Sequence, residues 1–395
     1  MTPTNRTPVI PDAPAVAARL MSEFAVRTGL SGASQDPGRY LWTDAFAVCN
    51  FLELFAQTGD QAYRRWALDL IEQVHLVLGR YRDDDVRHGW ISGLENLTAR
   101  QHPTARGLRI GKPLKERDAD EPMDERLEWD RDGQYFHYLT KWMHALCAAT
   151  CLIDDAARWA AELGVAAVEG FGRRSTSGRI VGVYWKMSTD LSRPLVPATG
   201  QHDALDGLIT FRETQHAAAN TPPAAAAPDL SPAIEALSVL CQQRDWTTDD
   251  PLGIGGLLFD VCRLCQVIGE ERPGDVRLVE EITDGCRRGL MALLAARHLN
   301  RPLSYRLPFR ELGLAIGLEA LPVIADYIRP SRIGGRPALR QALAFLLTHQ
   351  SLGVEIIKTW LPHAQRPDES WRAHQNINDV MLATALIPDT FLLVR

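Results

Sequence analysis

GRYLWTDAFAVCNFLELF, residues 38–55, decides the fold. A turn leads into a helical stretch that is apolar on nearly every side, and a helix apolar all round has to be buried by other helices. The pattern recurs five times: DGQYFHYLTKWMHAL from Asp132, GQHDALDGLITF from Gly200, DPLGIGGLLFDVCRLCQVI from Asp250, PFRELGLAIGLEALPVI from Pro308 and SLGVEIIKTWL from Ser351. A more amphipathic stretch follows each. After the first, TGD (58–60) breaks the helix, and the return carries Tyr63, Trp66, Ala67, Leu70, Ile71, Val74 and Leu78 on one stripe. Six buried helices, each with an outer partner, predict an all-α chain of two concentric helical rings. Polar residues at the inner helix starts then converge at one end.

The rest of the chain fits around these pairs. Residues 1–14 read as an extended tail and residues 15–395 as a single domain, opened by an amphipathic helix that stops at Gly29. Residues 82–131 lose all periodicity, yet Trp90, Ile91, Leu94, Leu108, Ile110 and Trp129 argue for an ordered loop over one end of the rings. RIVGVYWKM (179–187) is β-branched and aromatic and predicts a short strand or hairpin. HAAANTPPAAAAPDLS (216–231) reads as a flexible outer connection, RPSRIGGRP (329–337) as a turn and DTFLLVR as a packed tail. Gly253, Gly255, Gly256, Gly313, Ala315 and Gly317 lie inside helical stretches. Each interior glycine costs about 1 kcal/mol relative to alanine, which crowded helix packing offsets.

A net charge of −6 with mixed signs gives no footing for nucleic acid. No run reaches the roughly 18 apolar residues of a membrane span, and MTPTNRTPVIPDAP lacks the apolar core of a secretory leader, so a cytoplasmic protein is expected. Seven cysteines lie mostly in apolar stretches and read as core thiols. Cys262 and Cys265 form a CxxC without the second ligand pair of a zinc site. No metal or cofactor is expected. Phosphate-binding glycine loops, GxSxG and HExxH are all missing.

Three helix starts carry the chemistry. In RLEWDRDGQYFHY (126–138), Glu128, Asp130 and Asp132 precede a helix whose first turns hold His137, and Trp129 and Tyr135 offer apolar faces. A sugar ring docks on such a face through its C–H side while its hydroxyls seek hydrogen bonds. The competing structural reading makes Asp132 an N-cap. In LVPATGQHDALDGLITF (195–211), His202 and Asp206 are spaced i,i+4, so the carboxylate can orient the imidazole, and Asp203 stands between them. In GRYLWTDAF (38–46), Asp44 sits among apolar residues beside Trp42 and needs a partner, for which Arg39 is at hand. Weaker candidates are His88 with Trp90, Tyr184–Trp185–Lys186, Glu311 with Arg310, Glu319 and Glu355. His144 reads as a satisfied core histidine, and His363 and His374 have no evident partner.

Hairpin count, length, the Trp-rich start RYLW (39–42) and the long loop before the second inner helix resemble the (α/α)6-barrel carbohydrate enzymes. These include the six-hairpin glycosidases, unsaturated glucuronyl hydrolase-like enzymes among them, and the N-acylglucosamine 2-epimerase-like sugar isomerases. The resemblance implies an (α/α)6 toroid, with the loop and a short β-hairpin over one end, and a small-molecule carbohydrate substrate. It places no catalytic residue, because no family motif aligns. The leading expectation is a glycoside hydrolase acting on a short oligosaccharide. Asp130 or Asp132 would be general acid, Asp203 or Asp206 general base, Asp44 a substrate-positioning group, and Trp42, Trp129 and Trp185 the platform. On that expectation Asp132→Asn abolishes turnover and leaves the fold intact. The alternatives are a sugar epimerase or isomerase using His137 and His202 as paired bases, and a non-catalytic binding or scaffold protein.

Overall fold

The computed structural model describes residues 10, 12–32, 38–220, 227–268, 273–328 and 336–394. Most of the expected tail at 1–14, the centre of the Ala/Pro connection and most of the 329–337 turn lie outside them. The described residues are all-α in class, built of paired helices, with two small sheets. Its contacts group it into two compact units. One comprises Val26–Leu52, Asp60–Arg244 and Val394–Arg395, and the other Met1–Ala25, Glu53–Gly59 and Asp245–Leu393. Among the described residues no helix is long and apolar enough to cross a membrane.

The first unit has three buried stretches. Leu41 to Leu52 is buried without a break, as the apolar character of the opening stretch requires. Phe136–Ala148 packs against Asp203–Asn220 and against the outer helix Ala156–Phe171, whose face of Ala156, Ala157, Ala160, Ala161 and Ala167 allows close approach. Asp203–Asn220 packs in turn on Ser231–Leu240. Gln61–Leu78 is the outer helix after the first stretch; the Asp60 carboxylate caps it through Ala62 N at 2.8 Å.

The 82–131 loop is ordered. It contains the short helices Asn96–Gln101 and Glu125–Glu128 and buries Leu108 and Ile110 completely. Its backbone is stitched to neighbours by Arg109 N to Leu78 O (2.9 Å), Ile110 N to Gly133 O (2.9 Å) and Leu41 N to Ile110 O (3.0 Å). The β-branched 179–187 segment divides between two sheets. Ile180–Val183 pairs antiparallel with Gly172–Arg174, whereas Lys186–Met187 lies between Gln134–Tyr135 and Pro194–Val196.

The second unit also buries three helices, and here one expectation is corrected. Pro251–Val267 and Pro308–Glu319 are buried as expected, but Ser351–Gln365 is amphipathic. Its buried residues Gly353, Ile356, Ile357, Trp360 and Ala364 form one stripe, and Glu355 is exposed. The third buried helix is Gln375–Leu386, whose polar residues hid it from a hydrophobicity reading. Asn378 Nδ2 donates to Trp371 O (3.1 Å) and its Oδ1 accepts from Phe309 N (3.2 Å), while Asp379 accepts from Trp371 Nε1 (2.8 Å).

Three of the interior glycines have a packing reason. A Cβ on Gly255 would stand 2.0 Å from Gly313 O, and one on Gly317 would stand 2.6 Å from Gly255 Cα, so two helix backbones touch. Gly256 faces open space and has no such reason. Outer helices Pro273–Ala295, Pro337–Thr348 and Ser351–Gln365 complete the layer, and the C-terminal tail forms a short helix, Asp389–Leu392, with Phe391 stacked on Phe259 at 4.3 Å. None of the seven cysteines forms a disulfide, and six are buried; burial pushes the Cys265 thiol well up, which makes it a poor nucleophile.

Candidate active site

The three-stranded sheet sets up the site in the first unit. Tyr135 pairs with Lys186, and Phe136 N bonds Trp185 O at 3.4 Å, just where the Phe136–Ala148 helix begins. A strand running straight into a helix thus brings His137, in the first turn, alongside Trp185. The two rings are within 8° of parallel with centroids 6.4 Å apart. Tyr135 packs against both, at 4.9 Å from Trp185 and 5.4 Å from His137. Tyr138 meets His137 edge-on at 4.8 Å, and its hydroxyl bonds that of Tyr40 at 2.6 Å. Burial raises the Tyr138 hydroxyl well above its ordinary range, so it stays protonated.

Opposite the imidazole stands Asp203, in the first turn of the Asp203–Asn220 helix. Its carboxyl folds tightly over Gly200, where a Cβ would come within 2.3 Å of it, so only glycine allows this approach. His137 Nδ1 lies 3.9 Å from Asp203 Oδ1, with 31% of the imidazole and 9% of the carboxyl side chain exposed. Neither His137 Nδ1 nor Asp203 Oδ2 has a hydrogen-bond partner among the described residues. Buried polar atoms are nearly always bonded, so two orphans on neighbouring side chains call for an explanation.

Their environment pushes both toward neutrality. Burial lifts Asp203 to about 7; the nearby Asp206 charge adds to this, against Lys141 and a backbone bond from Gly200. Burial lowers His137 to about 4; Lys141 lowers it further and Asp206 opposes. One turn beyond Asp203, Asp206 accepts from Lys141 Nζ at 2.7 Å and from Thr140 Oγ1 at 2.5 Å. At neutral pH the site therefore holds a neutral imidazole beside a carboxyl that is close to half protonated. A group able to accept a proton and one able to donate it share a wall of aromatic rings.

The structure distributes the other sequence candidates differently. Asp132 is fully buried and bonded to Arg109 Nη1 (2.5 Å) and Gly111 N (3.0 Å), with Arg82 Nη1 at 3.8 Å. It anchors the loop and does not cap the helix, which starts from Tyr135 without a side-chain cap. Glu128 is buried and held by Lys186 Nζ (2.9 Å) and Arg117 Nε (3.3 Å). Asp44 is buried and accepts from Tyr40 N (2.9 Å) with Arg39 Nη1 at 3.8 Å, the structural partnership anticipated; burial raises it to about 6 against the Arg39 charge. Trp42 is buried against Phe46, and Trp90 is buried with its Nε1 on Asn96 Oδ1 at 3.0 Å. Asp130 is exposed, and Trp129 is exposed but packs edge-on to Trp185 at 5.4 Å. His202 is half-buried and its carbonyl accepts from Asp206 N at the helix start.

His144 is a core histidine, bonded to Glu213 at 2.7 Å. Arg310 pairs with Asp250 at 3.2 Å, leaving Glu311 to Arg306 and Trp360; His363 pairs with Asp368 at 2.7 Å. Sequence reasoning missed Tyr40, Tyr138, Thr140 and Lys141. A signal existed for Lys141, which lies i,i+4 from His137, but Asp206 lies 65 residues further along the chain. Among the described residues no group of three or more His, Cys, Asp or Glu side chains is placed to hold a metal ion.

No protein-family model matches the chain, and no curated protein matches it in sequence. Solved structures do. The GH76A α-1,6-mannanase of Salegentibacter sp. HEL1_6 is 11% identical over 95% of this chain and 99% of its own, with a TM-score of 0.48. An inactive variant of that mannanase in complex with α-1,6-mannotriose is 10% identical over 97% and 100%, at 0.47. A D-mannose isomerase is 12% identical over 85% and 87%, at 0.45.

Proposed function

We propose that this protein is a carbohydrate-active enzyme that moves a proton at a sugar carbon, an isomerase or epimerase acting on a reducing sugar. The carrying observation is the His137–Asp203 pair: His137 Nδ1 and Asp203 Oδ2 are buried without a hydrogen-bond partner among the described residues, and Nδ1 lies 3.9 Å from the other carboxyl oxygen, Oδ1, with the imidazole held neutral and the carboxyl held near half protonation. In the open-chain aldehyde form, His137 takes the proton from the carbon next to the carbonyl. The C–H electron pair becomes a C=C bond, the carbonyl π pair moves to oxygen, and that oxygen takes the Asp203 proton. For isomerisation the enediol then loses its second hydroxyl proton to Asp203 and regains a carbon-bound proton from His137, restoring both groups. Trp185 presents an apolar ring face to the C–H side of the sugar, with buried Tyr135 packed against it. Asp203 thereby takes the partner role that sequence reasoning gave to His202.

A glycoside hydrolase remains the second reading, because a carboxyl lifted to about 7 suits a general acid. It needs a second free carboxylate. Asp206 is neutralised by Lys141 and Asp132 is locked to Arg109, which leaves the exposed Asp130. Incubating reducing sugars and short oligosaccharides with the protein in deuterated water separates the readings by NMR. Deuterium at the carbon beside the carbonyl, lost in His137→Gln, supports the isomerase. A new reducing end without carbon-bound deuterium transfers the assignment to hydrolysis, and neither change supports the scaffold reading.

A further inference from the structure

We infer that Trp129 forms an outer sugar subsite, so that the substrate is a reducing disaccharide or longer glycan with its reducing end at His137 and Asp203. The inference rests on the carbohydrate reading above and deepens it. Three observations carry it. Trp129 is 59% exposed, an uncommon state for a residue with the largest apolar side chain. It is continuous with the site, because it meets Trp185 at 5.4 Å and 71°, and Trp185 is the ring that lies parallel to His137. Its backbone is also pinned on both sides. Lys186 Nζ, fully buried, bonds Glu128 O (2.7 Å), Glu128 Oε1 (2.9 Å) and Arg131 O (2.8 Å), so the residues flanking Trp129 and Asp130 are tied to the sheet. Asp124 caps the short helix that leads into them through Arg126 N (2.9 Å) and Leu127 N (3.1 Å).

A lone exposed apolar residue on a mobile loop means little. A ring held outward by a buried ammonium and joined edge to face to an active-site wall is a preformed platform. Its free face suits the apolar C–H side of a second pyranose, and the neighbouring exposed Asp130 carboxylate can accept from that ring's hydroxyls. The rings run from half-buried His137 and Trp185 out to exposed Trp129, which sets the direction of the glycan.

The test titrates the full chain with glucose, mannose, maltose and cellobiose by intrinsic fluorescence, in parallel with the deuterium assay. A disaccharide is expected to bind at least tenfold more tightly than its monosaccharide. Trp129→Ala should cancel that advantage without changing monosaccharide Kd, and Trp129→Phe should keep most of it. Equal binding of mono- and disaccharides, or an equal loss for both in Trp129→Ala, overturns the subsite even where deuterium exchange persists. Trp129-dependent disaccharide binding without exchange keeps the subsite and sinks the isomerase reading. Absence of all sugar binding sinks both.

Discussion

Both units bury carboxylates near helix starts, and they treat them in opposite ways. In the second unit Glu311 is gripped by Arg306 through two bonds of 2.6 Å and by Trp360 Nε1 at 2.8 Å. Asp379 there takes the Trp371 indole. In the first unit Asp132 is gripped likewise, but Asp203 is left facing an imidazole that it does not bond. A fully partnered carboxylate holds a structure together. One with an oxygen left unbonded sits at a raised pKa with a proton available, and stability is given up for that state. Burial alone therefore does not mark a functional acid; burial with an unbonded oxygen does.

The sharpest way to break the contrast is to neutralise each type in turn. Glu311→Gln and Asp132→Asn should each destabilise by about 3–5 kcal/mol in denaturant titrations, since each strands a buried guanidinium. Asp203→Asn should not destabilise at neutral pH, because the fold disfavours the charged carboxylate that the amide replaces, yet it should remove deuterium exchange. If Asp132→Asn unfolds at the wild-type denaturant concentration and loses exchange, the roles of the two aspartates are reversed.

Next in size is the pH dependence of stability. Asp203 has a folded pKa of about 7, above its unfolded value of roughly 3.9, so its contribution falls as pH rises from about 4 to about 7. His137 has a folded pKa of about 4, below its unfolded value of roughly 6.5, so its contribution rises over about pH 4 to 6.5. The two slopes oppose each other in the wild type. His137→Gln should lose stability with rising pH across that window and Asp203→Asn should gain it, as thermal melts at several pH values would show. Two variants with the same slope would mean the groups do not titrate as described. Catalysis should share the window: kcat/KM for exchange is expected to be bell-shaped between about pH 4 and 7, as apparent values of the pair. The smallest effect belongs to Glu355→Gln, on the solvent side of its helix, which should stay within about 0.5 kcal/mol.

Much of this was legible in the sequence. Five of the six buried helix starts, the ordered loop and the strand-like 179–187 segment all follow from periodicity and composition. Gln375–Leu386 was not legible, because Asn378 and Asp379 look like surface residues until Trp371 and Phe309 supply their bonds. At the site, His137, Asp203, Tyr135, Trp129 and Trp185 could all be named from local context. Which carboxylate would be free could not, since the partners that silence Asp132 and Asp206 come from elsewhere in the chain: Arg109 lies 23 residues away and Lys141 lies 65 away. Charge pairing across such separations leaves no trace in a local pattern.

The touching backbones of Gly255 and Gly313 have a consequence for how the second unit tolerates change. Where main chains meet with no side chain between them, peptide atoms alone set the spacing, and the surrounding residues act as upholstery over a fixed pin. Leucines and isoleucines along both helices can be exchanged for one another while that distance holds. A single methyl group at the pin would force the two helices apart along their whole length.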